Sequence, residues 1–424
     1  MGQAYYSDHS RYSNSYPRRT RARRRSTHAG ARFAVVSFLG VGAFACGFVA
    51  LWFLGSLIVG GQGSDGRSAG MSATGGLLVP VRSEYEVEPA VDLLALRDLA
   101  YVPVKGVHVT SAKASDIASM GRIMDLIDRT ELNAMVVAIK DDYGRIAYDS
   151  KAAMAEAYRT VKPMIWGGDI DALLSTLAQR NIIPIARIVC FKDDYLTAAR
   201  PDLAIQSSEG GMWVDNKGHR YLNPYNHEVW EYIVQVAEDA ARRGFREIQF
   251  DYIRFPANDD GDLSLAEYPG RYCSKEDVIS QFLAYARPRL EALGVWVSAD
   301  VFGHVVDRIG DQGIGQNLEM LCRNVDVICP MVYPNLYEPG EYGLEYPAAK
   351  PYELVKNALV EAPGRLAGTG AKGRPYLQAF DDYYARSLDY TAEMVRAQIN
   401  AAAELGFTEY ILWGGYPDLG PEVV

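Results

Sequence analysis

The chain has 424 residues, 49% of them apolar, enough for one large α/β barrel or two average domains. Its formal charge of −10 conceals an asymmetry: residues 1–60 hold eight Arg, no Lys and one acid, Asp8, which leaves −17 on residues 61–424. A body this acidic lacks the basic groups that displace counterions from a polyanion, so no nucleic-acid partner is expected. The five Cys show no CxxC pair and no His-rich spacing of a zinc site. Cys322 and Cys329 could bridge or remain free thiols.

Residues 1–32 are polar and rich in Tyr, Ser and Arg, the composition of a basic disordered tail. Residues 33–60 come next, 28 in a row without a charge, where spanning a bilayer takes roughly 20. Seven Arg between positions 18 and 32 flank the N-terminal side of that stretch, so the positive-inside rule keeps the tail cytoplasmic and exports the chain beyond residue 60. A cleaved signal peptide is the rival reading, but its apolar region is usually shorter and no Ala-x-Ala cleavage site follows this one. The expectation is a single N-terminal transmembrane helix, then a linker and lead-in segment at 61–100 whose Gly/Ser-rich start, 61–76, is flexible.

From residue 101 to 424 short apolar runs alternate with helical patterns, the signature of parallel β/α architecture. The predicted strands are 106–110, 134–140, 182–190, 247–255, 295–303, 325–333, 375–380 and 410–414. Amphipathic segments lie between them at 116–129, 170–180, 227–243, 275–293 and 390–405, with Gly244, Gly294 and Gly406 at helix stops. Eight repeats without a glycine-rich first turn fit a (β/α)8 TIM barrel rather than a doubly wound sheet. Ten residues remain after the last strand, so the apolar-periodic stretch 87–100 is expected to cover the remaining gap or the barrel floor.

In a barrel, alternate side chains point inward and chemistry gathers at the C-terminal strand ends. That parity collects His108 on strand one, then Lys140 followed by Asp141 and Asp142 on strand two, and Arg187 on strand three. Strand four contributes Gln249, Asp251, Tyr252 and Arg254, and strand five Ser298 and Asp300. Tyr333, Gln378 with Asp381 and Asp382, and Trp413 complete the ring. Two carboxylates on consecutive strands suit glycosidic hydrolysis, which needs one acid to protonate the leaving oxygen and another to attack or activate water. Arg187 or Arg254 could hold one of them ionised. The structural alternative pairs Asp251 with Arg254 at the rim and leaves Asp300 capping a loop. Trp213, Tyr221, Tyr252, Tyr333 and Trp413 offer flat faces to sugar rings. Residues 258–262 resemble a calcium loop but lack its final Glu, so a solvated turn is expected. The chain has no GxSxG elbow, P-loop or dinucleotide fingerprint.

The runs VKGVHVTSAKA (104–114), FDYIRFP (250–256), SADVFG (298–303), ICPMVYP (328–334) and LQAFDDY (377–383) resemble a bacterial family of glycoside-hydrolase-like proteins first described as a domain of unknown function. The resemblance implies a TIM barrel related to the α-amylase and other retaining clans. It places a nucleophile at the end of strand four, Asp251, and an acid at the end of strand five, Asp300. Strand five carries Asp where the amylase-like clan has Glu, which leaves Asp381 or Asp141 as alternative acids. The expected protein is a membrane-anchored glycosidase with a carbohydrate substrate and no required cofactor. A catalytically silent glycan-binding or scaffolding barrel is the alternative, and a sugar-transferring barrel a weaker one.

Overall fold

The computed structural model describes residues 101–382 and 388–414. The apolar stretch 33–60 and the segment 87–100 lie outside the described residues. Among the described residues, no helix is long and apolar enough to cross a membrane.

Eight strands run in chain order as β1 (Lys105–Val109), β2 (Ala134–Lys140), β3 (Ile183–Val189), β4 (Glu247–Asp251), β5 (Trp296–Phe302), β6 (Val327–Met331), β7 (Tyr376–Gln378) and β8 (Tyr410–Trp413). All neighbours pair in parallel, β8 returns to β1 through His108 opposite Trp413, and β6 meets β7 through Met331 opposite Tyr376. The sheet is therefore closed, which leaves no free edge for another chain to extend.

Each of the first seven strands is followed by a helix: α1 (Ile117–Asp128), α2 (Ile170–Gln179), α3 (His227–Arg243), α4 (Lys275–Glu291), α5 (Leu318–Leu321), α6 (Pro351–Leu359) and α7 (Ala392–Glu404). Helix α3 shows why these boundaries fall where they do. Asn226 caps it by accepting the Glu228 N–H at 2.9 Å, and Val229, Ile233, Val236 and Ala240 recur on the buried face. Gly244 ends the helix at φ 116°, a conformation that costs a glycine little and other residues much.

Three apolar clusters result among the described residues, two of them built on the barrel strands. The larger lies between strands and helices; the smaller fills the barrel interior with Val136, Ile185, Val327, Cys329, Tyr376 and Ile411. All four described cysteines are free, and Cys322 and Cys329 sit in different clusters, so the disulfide left open by the sequence does not form. The long β3–α3 connection folds over the rim, pairing residues 206–207 with 266–267 of the β4–α4 connection.

Candidate active site

Among its apolar residues the barrel interior also carries polar side chains in layers. At the floor, Arg374 binds Glu247 at 2.7 Å and Glu409 at 3.0 Å, and donates to the Tyr101 hydroxyl at 2.9 Å. One layer up, Gln249 accepts from the Tyr376 hydroxyl and donates to Cys329 Sγ at 3.4 Å. The uppermost layer, at the C-terminal strand ends, holds Arg187 on β3, Asp251 on β4 and Asp300 on β5. Strands β4 and β5 pair through Gln249–Ser298 and Phe250–Ala299, so Asp251 and Asp300 stand side by side one step further along.

Arg187 organises this layer. Its Nε lies 2.9 Å from Asp251 Oδ2, and its Nη2 reaches the same oxygen and Asp142 Oδ1 at 3.1 Å. The same Nε is 4.0 Å from Asp300 Oδ2, which caps the separation of the two acid oxygens at about 7 Å and admits the ~5–5.5 Å of retaining enzymes. The guanidinium sits over Trp413, 5.2 Å from the ring centroid, and Trp413 stacks on His108 at 3.7 Å with 4° between the planes.

The two acids have unequal surroundings. Asp251 has its second oxygen taken by the Tyr252 N–H at 2.6 Å. Asp300 is buried, and among the described residues neither of its oxygens accepts a hydrogen bond. Burial, then the charge of Asp251, holds Asp300 well above the usual carboxylate range against the pull of Arg187. Arg187 Nη1 likewise has no acceptor among the described residues. A sugar hydroxyl could serve both groups, donating to Asp300 and accepting from the guanidinium. Tyr252 has φ 50°, uncommon for a bulky residue and a form of strain that concentrates at functional sites.

Several expected residues are not brought to this cluster. The β2–β3 register slips between Ala138 and Lys140, so Lys140 shares the outward face of Ile188. It pairs there with Asp193 at 2.7 Å, both fully buried, beneath Tyr232 of α3. Lys140 is thus a structural ion pair, correcting its expected place in a binding site. Asp141 is used locally, accepting from the Tyr143 and Arg145 backbones and from Arg145 Nε at 2.8 Å. Arg254 pairs with Asp260 at 2.9 Å, not in the rim ion pair with Asp251 that was the structural alternative, and this places Asp260 of the calcium-like loop in a salt bridge.

Gln249 lies one layer too deep to reach a rim ligand. Gln378 accepts the Asn335 N–H and donates to Phe380 O, and Asp381 accepts the Tyr390 N–H at 2.6 Å. Trp213 and Tyr221 pack on each other in a separate buried cluster instead of offering a sugar platform. Tyr333 is buried and packs edge-on to Tyr376 and tilted against Trp413. Tyr252 lies against Arg254, whose guanidinium is 4.8 Å from its ring. Of the two acids that follow β2, Asp141 was expected at the site, whereas Asp142 is the one that reaches Arg187. The slip before Lys140 breaks the alternation, and the only sequence signal was its place two residues beyond the strand.

The fold is a closed (β/α)8 barrel. The chain belongs to the family described as “Putative glycosyl hydrolase domain”, whose model matches residues 106–416. Among solved structures, the glycoside hydrolase domain of PgaB from Bordetella bronchiseptica is similar at 16% identity and TM-score 0.53, over 74% of this chain and 95% of that one. The α-L-fucosidase isoenzyme 2 of Paenibacillus thiaminolyticus aligns at 12% identity and TM-score 0.50, over 76% of this chain and 48% of that enzyme. Identities this low speak for the fold alone. A hypothetical protein from Ruminiclostridium thermocellum is 38% identical, covering 46% of this chain and 97% of its own, with TM-score 0.42. Comparison with curated protein sequences gave no match.

Proposed function

We propose that this chain is a glycoside hydrolase acting on a polysaccharide or cell-envelope glycan, tethered by residues 33–60 with the barrel outside the cytoplasm. Asp300 is the general acid and base, and Asp251 the nucleophile or the stabiliser of positive charge at the anomeric carbon. The observation that carries this reading is the contrast between neighbours. One carboxyl is clamped by a guanidinium and an amide; the other is buried beside it without a donor. Such a contrast holds a proton on one acid and surrounds the other with donors, the division of labour that glycosidic cleavage requires.

The test is turnover of a panel of labelled glycans, peptidoglycan among them, by the wild type and by Asp251→Asn. Loss of about three orders of magnitude or more is expected on any responsive glycan. Arg187 retains Asp142 and Asp300 as partners in that variant, so it should fold. Undiminished turnover removes Asp251 from the mechanism.

One observation favours a non-catalytic glycan-binding or scaffolding barrel instead: both acids are buried, and both oxygens of Asp251 are already engaged. That reading expects saccharide binding without product and indifference to either Asp→Asn change.

A further inference from the structure

Arg187 carries three carboxylates, and only one of them reaches solvent. The side chain of Asp142 is 44% exposed, against 5% for Asp251 and 1% for Asp300. Asp142 also stands on a braced segment. Asp141 beside it accepts the Tyr143 N–H at 3.1 Å and the Arg145 N–H at 3.0 Å, and Gly144 lies against the buried Asp193 that pairs with Lys140. Nη2 of Arg187 is thereby held between Asp142 and Asp251, while Nε stays 4.0 Å from Asp300, beyond hydrogen-bonding reach.

We propose that Asp142 is a positioning residue: by holding Arg187 against Asp251 it keeps the guanidinium off Asp300 and leaves Asp300 its proton. The catalytic consequence rests on the glycosidase reading; the electrostatic one does not. The charged groups facing Asp300 are Asp251 on β4, Arg187 on β3, and Glu247 and Arg374 from the floor. Those facing Arg187 are Asp251, Asp142 and Asp300, with the Tyr376 hydroxyl of β7. The Cys190 and Cys329 thiols are buried nearby, and burial pushes both up, so they stay neutral. Removing the charge at position 142 frees Nη2 to turn toward Asp300. That change favours ionised Asp300.

The experiment follows the Asp300 carboxyl through a pH titration by carbon-13 NMR or infrared spectroscopy in the full-length protein, with Asp300→Asn identifying its signal. Asp142→Asn, and Asp142→Ser as an independent neutral replacement, are expected to lower its midpoint by ~0.5–1 pH unit. Asp142→Glu should restore most of the shift. Where a glycan is turned over, the alkaline limb of kcat/KM should move down with the midpoint. A midpoint that stays put in both neutral variants overturns the proposal, even if Asp251-dependent turnover upholds the glycosidase reading. A midpoint that falls in a protein with no turnover on any glycan supports the positioning role and ends the glycosidase reading.

Discussion

Asp251 and Asp300 are the same residue type on neighbouring strands, yet their surroundings make them different acids. Two carboxyls capped at about 7 Å apart resist joint ionisation, and the donors decide which one yields. Arg187 and the Tyr252 amide serve Asp251, leaving Asp300 to carry the proton. A raised folded-state pKa means the native protein binds more protons than the unfolded chain above the ordinary carboxylate range. Stability therefore falls as pH rises through that window and stays lower above it. Asp300→Asn should remove this burden, stabilising the protein at pH 7 by about 1–2 kcal/mol while turnover is lost. Thermal unfolding midpoints of wild type and variant should converge as pH approaches ~4. A variant less stable than wild type at pH 7 would contradict this account of Asp300.

At the scale of elements, the ends of β2 and β4 matter most. The period-two pattern ran on from 247 to 255, but β4 stops at Asp251. The carboxylate of Asp251 captures the next N–H, and Tyr252 turns to φ 50°, so a local side-chain contact competes with the ladder. At β2 the slip sends Lys140 outward to Asp193, and Gly144 closes over that pair at φ 87°. A Cβ there would stand 2.0 Å from Asp193 Oδ1. Gly144→Ala combines backbone strain with a buried clash and should cost about 2–4 kcal/mol in urea unfolding. It should also disturb Asp142, so the Asp300 titration is expected to shift. An unmoved urea midpoint would show that the turn relaxes freely. The helices were legible because their signals are local: caps, stop glycines and 3.6-residue periodicity. The faces of residues past a strand irregularity were not, because one slipped residue reverses every face beyond it.

For the whole molecule, closure of the barrel brings distant charges onto one axis. Arg374 meets Glu247, 127 residues away, and Glu409, 35 away, in a fully buried network at the floor. Arg374→Met would strand two buried carboxylates at a cost of about 3–5 kcal/mol. The rim lies at the opposite strand ends, and of the four charges facing Asp300 that of Arg374 acts least, so turnover per folded molecule should change little. Urea unfolding paired with active-fraction measurement checks both parts, and a loss of turnover in the folded fraction would show that the floor and rim are coupled.

Local periodicity alone determined the eight strands, five of the seven helices that follow them, and the placing of acids on strands four and five at one end. Such features depend on residues close along the chain. The tertiary structure alone decided that Arg187 rather than Arg254 clamps Asp251, that Asp142 joins them, and that Asp300 is left without a donor. Ion-pair choice depends on strand register and on which groups lose their water, and both are set only when the barrel closes.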